Sequence, residues 1–497
     1  MPKITKIQDN IVTIKGKYNY KQDQFFKLSK DANGIVILAT QDEAKLLVVG
    51  DPSSIKSNID IATTKNILKN ISLMSGHFGS IISPFGDIIH PANKNLGKKL
   101  GESPLDNNPP ELLDRIGLAR PLTTGIITID TMIPIGKGQR ELIIGDRTTG
   151  KTSIALSIII NQKNKKIKII YVSVGQKRNS VSGIYNALIE HKAEKNVTII
   201  FANPDSSSQQ FFAPRIGMAM AEAIAYKGED VLLIIDDLTK HANVYREISL
   251  SIGTNSGREA YPTDIFYQHA RLLERAGQFN EKYKNGSITC LPIVETVQGD
   301  LASIIPSNII SITDGQIFTS IDMFNNGEYP AIDISLSVSR TGSSVQGKIL
   351  KKTSKGLKAE YSSLLDIKKF ADMSINISKE LESKINDWVA INNILLQFGF
   401  QGYHENEIMI LVELFRMRLL EKIVDRTKFS QAFWNFCKIN DGAKKIIKKI
   451  SSGEYEHGNK DFTNALKVVF VPLVKIASGM KNDIILEVEY LSMKGGE

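Results

Sequence analysis

Nine consecutive residues, Gly145 to Ser153 (GDRTTGKTS), combine two glycines, a lysine and a hydroxyl side chain at a spacing suited to polyphosphate chemistry. The pattern Gly145-x4-Gly150-Lys151-Thr152 fits the P-loop. Its glycines let backbone N–H groups turn inward on phosphates, its lysine pairs with the outer phosphates, and its threonine ligates Mg²⁺. On this reading Gly145, Asp146, Arg147, Thr148, Thr149, Gly150, Lys151, Thr152 and Ser153 form a nucleotide-binding loop for Mg-ATP or Mg-ADP. A bare glycine turn is the bland alternative. The context speaks against it, because apolar ELIIG precedes the loop and SIALSIII follows, the strand and the helix that the motif needs.

A second run, VLLIIDD (Val231–Asp237), is an apolar strand ending in carboxylates, where a P-loop protein keeps the aspartate that orients magnesium. Asp236, first after the apolar residues, is the metal candidate, and Asp237 suits the cap of a following helix.

These residues need rigid elements to hold them. Short strands separated by turns fill residues 1–80: NIVTIKG, GIVILAT, KLLVVGD and then GSIISPFGDII, with TTKNILKNIS the one candidate helix among them. A small β-barrel closes such strands without exposed edges. A polar connector rich in Gly, Pro and Asn follows, NKNLGKKLGESPLDNNPPELLDR. Beyond it QRELIIG, KIKIIYVSV, NVTIIFA and VLLIIDD alternate with helical segments, and their near-continuous β-branched runs predict a parallel sheet covered on both faces. Past about residue 350 the periodicity is helical, as in NISKELESKINDWVAINNILL and NEIMILVELFRMRLLEKIVD. The expected architecture is multidomain: β-barrel 1–80, α/β P-loop domain 81–348, helical domain 349–497.

Bulk composition narrows the function classes. A 497-residue chain exceeds one ordinary core, and 42% hydrophobic with 23% charged residues is ordinary for a soluble protein. No apolar run is long enough to span a bilayer, and MPKITKIQDN lacks a signal-peptide core, so any membrane contact is expected through partners. Two cysteines, Cys290 and Cys437, and seven scattered histidines show no zinc-site spacing. The net charge of +9 is spread along a Lys/Ile/Asn-rich chain without aromatic interleaving, which argues against a nucleic-acid groove.

Five blocks go beyond a generic P-loop protein: PIGKGQRELIIGDRTTGKTS (Pro134–Ser153), VSVGQKRNSV (Val172–Val181), GREAYPTDIFYQHARLLERA (Gly257–Ala276), DGQIF (Asp314–Phe318) and SLSVSRTGS (Ser335–Ser343). Together they resemble the alpha subunits of F-type ATP synthases, most specifically from about residue 85 to about 350. The resemblance implies a barrel, a RecA-like nucleotide domain and a helical domain, in a hexameric ring of alternating alpha and beta subunits around a gamma shaft. It also implies a place at the cytoplasmic face of the cell membrane, reached through partners and without nucleic acid. Catalytic relatives carry a glutamate where this chain has Gln176, which implies a site that holds Mg-ATP without turning it over, because an amide cannot take a proton from water. The DRTTGKT loop also resembles the alpha version. Arg340 matches the arginine that reaches into the beta subunit's catalytic site to stabilise the transferring phosphoryl group.

Several positions depart from that family. The barrel starts at Asn10 almost at once, without the extension that meets the delta stator subunit. GTNS (Gly253–Ser256) replaces an arginine- and proline-rich collar segment, and Thr263 stands for a glycine, so shaft contacts must differ. QFGF (Gln397–Phe400) takes the place of the segment whose glutamines face adenine, and its aromatics can stack on a base without reading its edge. The departures face partners, which suggests a repurposed F-type ATPase with divergent extra subunits, driving a mechanical process such as gliding. Two other classes share parts of the plan: a hexameric RNA helicase of the termination-factor type and a self-sufficient export-type ATPase. The barrel is read as lacking clustered aromatics for base stacking, and the GREAYP and SVSRTGS blocks favour the rotary family, which opposes the former; Gln176 opposes the latter.

Overall fold

The computed structural model describes residues 2–62, 68–92, 94–373, 378–421, 423 and 425–478. They form two compact units. The first contains residues up to 117, 137–147 and 162–314; the second contains 118–136, 148–161 and the chain from 315.

The first unit opens with five antiparallel strands, β1 (Lys3–Gln8), β2 (Ile11–Lys15), β3 (Phe25–Lys27), β4 (Ala32–Ala39) and β5 (Glu43–Gly50), in the order β1-β2-β5-β4-β3. Alternation puts Val12 and Ile14, and Ala44, Leu46 and Val48, on one face, where they meet Ile4, Phe26 and Val36 in a shared core. A Cβ at Gly34 would lie 2.9 Å from the side chains of Leu28 and Leu46, so the strand must be bare where the sheet curls on itself. The edge of β1 is covered by the chain at 58–61, through Ile4 N–H to Ile59 O and Asn58 N–H to Ile4 O.

Next come β6 (Asn70–Met74), β7 (Ser80–Ile82), β8 (Ile88–His90), β9 (Lys99–Pro104), β10 (Leu142–Asp146), β11 (Ile167–Val174), β12 (Val197–Ala202), β13 (Asp230–Asp236), β14 (Gly277–Gln278) and β15 (Ser287–Thr296). Within this unit β10, β15, β13, β11, β12 and β7 are successive parallel neighbours, with β8 antiparallel at the edge. The β-branched runs are buried throughout, as a sheet covered on both faces requires. The helix Ser207–Ala225 packs across it; a Cβ on Gly217 would fall 2.4 Å from a methyl of Val172.

Two readings need correction. The sequence groups GSIISPFGDII with the barrel strands, yet Ser80, Ile81 and Ile82 pair in parallel with Thr198, Ile199 and Ile200 and belong to the central sheet. That pairing joins segments far apart in sequence and leaves no local trace. The helix expected in TTKNILKNIS gives way to β6 from Asn70; Thr63–Ile67 lie outside the described residues.

The second unit holds the antiparallel hairpin β16 (Gly315–Thr319) and β17 (Ile332–Ser339), the helices Ile127–Met132, Lys151–Ile160 and Ile321–Asn325, and the helices from Lys348 onward. The run expected to be helical through Asp425 stops at Arg416. Arg418 adopts φ 58°, and Arg418 N–H and Leu419 N–H close onto Phe415 O and Leu414 O, a reversal usually given to glycine. Phe433, Phe436, Phe462 and Phe470 are buried in the C-terminal helices. The chain is thus a strand-rich N-terminal region, a parallel α/β nucleotide-binding region and a helical C-terminal region.

Candidate nucleotide-binding site

The phosphate loop begins as β10 ends. Gly145 is buried, Asp146 is half-buried and Arg147 is exposed. Asp146 Oδ1 accepts from the hydroxyl of Thr296, the last residue of β15, at 2.6 Å and from Gly299 N–H, just beyond it, at 2.9 Å. Arg147 Nε lies 3.2 Å from Glu295. The start of the loop is therefore tied to the neighbouring strand's end. The chain passes from the first unit into the second between Arg147 and Thr148.

Thr148 has φ 62° and Gly150 φ 87°, and left-handed residues alternating with ordinary ones turn successive backbone N–H groups to one side. Gly150 caps the helix Lys151–Ile160, and only the Phe324 ring, at 3.8 Å and beyond, would meet a Cβ there. Lys151 is buried at the helix N-terminus, Thr152 is half-buried and Ser153 exposed. Thr149 and Thr319 share a 2.6 Å hydroxyl–hydroxyl bond.

At the carboxyl ends of the parallel strands in the first unit, Gln176 follows β11 and Asp236 ends β13. Tyr171 on β11 connects them. Its hydroxyl donates to Asp236 Oδ2 at 2.6 Å and accepts from the Gln176 amide, while burial and the neighbouring Asp236 charge hold its pKa well above the usual phenol value. Asp237 takes the other expected role: its carboxylate accepts from Lys240 N–H and caps the helix Leu238–Ile252. Burial pushes the Asp237 carboxyl up to about 7 against the pull of Lys240.

In the second unit a cavity of about 370 Å³ opens beside Gly150 and Ser153. Its wall is aromatic. Phe324 meets Tyr329 edge-on at 5.3 Å, Tyr329 meets Phe398 at 6.0 Å, and Phe400 adds a further ring. Gln397 also borders the cavity, but its amide is committed to the backbone: Oε1 accepts from Ile127 N–H at 2.6 Å and Nε2 donates to Gly125 O and Gln401 O. Gln401 Oε1 is buried without a hydrogen-bond partner among the described residues. The size suits a nucleoside, the aromatic faces suit a base, and a buried lysine at a helix N-terminus suits phosphate. A nucleotide fits these residues. The hydroxyl of Thr152 and the carboxylate of Asp236 are the hard oxygen donors that magnesium prefers.

Arg340 follows β17 directly; it is exposed and makes no ion pair or hydrogen bond among the described residues. The structure thus distributes the sequence candidates. Gly145–Arg147, Gln176 and Asp236 lie at the carboxyl ends of the parallel strands of the first unit; Thr148–Ser153 and Arg340 belong to the second unit. Sequence reasoning missed Tyr171, which reads as one more core residue of a strand, and the Phe324–Tyr329 wall, whose signal was the pair of aromatics flanking a turn.

The model of the ATP synthase alpha/beta family, nucleotide-binding domain, matches residues 125–339. ATP synthase subunit alpha 2 of Mycoplasmopsis pulmonis is 42% identical over 85% of this chain and 83% of its own length. ATP synthase subunit alpha of Caldanaerobacter subterraneus subsp. tengcongensis is 41% identical over 75% of this chain and 73% of its own. For ATP synthase subunit alpha of Vesicomyosocius okutanii the identity is 36%, over 94% and 92%.

Proposed function

The chain belongs to the alpha-subunit family of ATP synthases, and on that premise we propose that it holds Mg-ATP without hydrolysing it and lends Arg340 to a catalytic partner. The partners are a beta-type subunit, alternating with this chain in a ring, and a gamma-like shaft. Lys151 and the loop N–H groups bind the phosphates, Tyr329, Phe398 and Phe400 stack on the base, and Thr152 and Asp236 hold magnesium, which neutralises phosphate charge. The observation that carries the non-catalytic reading is Gln176: a neutral amide stands just past the carboxyl end of β11, hydrogen-bonded to Tyr171, where water activation calls for a carboxylate. Arg340, exposed and unpaired among the described residues, is suited to act in trans, where such an arginine offsets charge on the transferring phosphoryl group.

The working division is the barrel to residue 80, the nucleotide domain at 81–348 and the helical domain at 349–497. The assembly sits at the cytoplasmic face of the membrane through its partners; among the described residues no helix is long and apolar enough to cross one. The altered GTNS segment and Thr263 favour a second reading, a duplicated head coupled to different mechanical work, and a relative designated alpha 2 supports it.

The test is recovery of nucleotide from the purified chain after incubation with Mg-ATP. Intact ATP is expected to be recovered, with affinity reduced about a hundredfold or more in Lys151→Ala, the residue that meets the outer phosphates. Steady release of ADP by the isolated chain would overturn the reading.

A further inference from the structure

The first unit contains a second cavity, of about 440 Å³, to which no residue of the phosphate loop contributes. It opens between the β7–β8 hairpin, the helix Arg178–Glu190 and the end of β12. Arg178, Val181, Ser182, Tyr185 and Asn186 all face it, the spacing of a single helix stripe. The floor is apolar: Val181 and Ile81 lie beside the rings of Tyr185 and Phe201, all buried. Tyr185 has its hydroxyl engaged with Gly79 O, so it offers the cavity a ring rather than a polar head.

The rim is different. Arg178, Ser182 and Asn186 are exposed, and their side chains make no hydrogen bond or ion pair among the described residues. No carboxylate lines the cavity, so the charge of Arg178 is uncompensated there. A buried apolar floor below an unpaired guanidinium and two neutral hydrogen-bonding heads is complementary to one ligand chemistry, an anionic head on an apolar body. The volume is that of a small-molecule pocket.

We propose that this cavity binds a small organic carboxylate, with its apolar body against Tyr185 and Phe201 and its carboxylate on Arg178, supported by Ser182 and Asn186. The site is distinct from the nucleotide loop and does not depend on the function proposed above. Arg178 contributes a forked, charge-assisted contact to the carboxylate, and the rings supply the apolar contact area.

The test is calorimetric titration of the full chain with 4-phenylbutyrate, alongside its neutral amide. Saturable binding is expected with a dissociation constant near or below about 1 mM, and about tenfold or more weaker binding for the amide and for Arg178→Ala, as loss of a charged hydrogen bond implies. Ser182→Trp, which fills the cavity from an exposed position, should abolish it, and Lys151→Ala should leave it intact. Circular dichroism melts establish that each variant is folded. Absence of saturable binding to the wild-type chain overturns the proposal, as does equal affinity in Arg178→Ala or loss of binding in Lys151→Ala.

Discussion

Asp236 and Arg340 both stand at the carboxyl end of a strand, but in opposite circumstances. Asp236 is 3% exposed and held by the Tyr171 hydroxyl, which Gln176 also contacts. Arg340 is exposed, with no partner among the described residues. A carboxylate that orients a metal must be fixed in advance, because a misplacement of a fraction of an ångström forfeits the geometry. An arginine that serves another subunit must be left unpaired, because an internal ion pair would have to be broken first. Burial separates the residue proposed to hold magnesium in this chain from the arginine proposed to act in trans.

The home side of this comparison can be weakened in steps. After the hundredfold loss expected for Lys151→Ala, the next effect is expected at the base: Tyr329→Ala removes a stacking face and should weaken ATP binding by about tenfold or more. If stacking is the whole of base recognition, GTP affinity falls by the same factor, and a fall confined to ATP would show that recognition at this face goes beyond stacking. A smaller effect is expected for Tyr171→Phe, which takes one hydrogen bond from Asp236. About 1 kcal/mol, or roughly fivefold, should be lost from Mg-ATP binding, and little from binding of ATP without magnesium. Equal losses in both titrations would separate Tyr171 from the metal.

The smallest effect lies away from the site and serves as a control. Asp23 sits by Arg215 and Asp106, and burial pushes its carboxyl up to about 6 from an ordinary 3.8. A carboxyl raised in the folded state stabilises the fold most below its unfolded value, and that contribution fades as pH rises through about 6. Asp23→Asn should flatten the pH dependence of the melting temperature between about pH 4 and 7 by under about 1 kcal/mol, since the group is partly solvated, and should leave nucleotide affinity unchanged. A melting curve as steep as the wild type's would place that titration elsewhere.

What the sequence made legible was local. The phosphate loop, the strand ending at Asp236 and the capping role of Asp237 each follow from a few adjacent residues whose conformation their own side chains dictate. The illegible parts depend on distant segments. Nothing within GSIISPFGDII announces pairing with Thr198–Ile200, and nothing near Tyr171 marks a hydroxyl that finds Asp236 sixty-five residues on. Gln397 shows the same limit: beside Phe398 it suggests contact with a base, yet its amide binds Ile127 and Gly125 from across the unit. The helix end at Arg418 was hidden because a non-glycine residue carries the left-handed turn.

The lending of Arg340 is tested most directly by the ATPase rate of the assembled complex, purified with its catalytic partner, carrying Arg340→Ala in this chain. Turnover should fall by about a thousandfold or more, the contribution expected of an arginine finger, with Mg-ATP still bound to the variant chain at wild-type affinity. Undiminished turnover in a fully assembled complex would contradict the account.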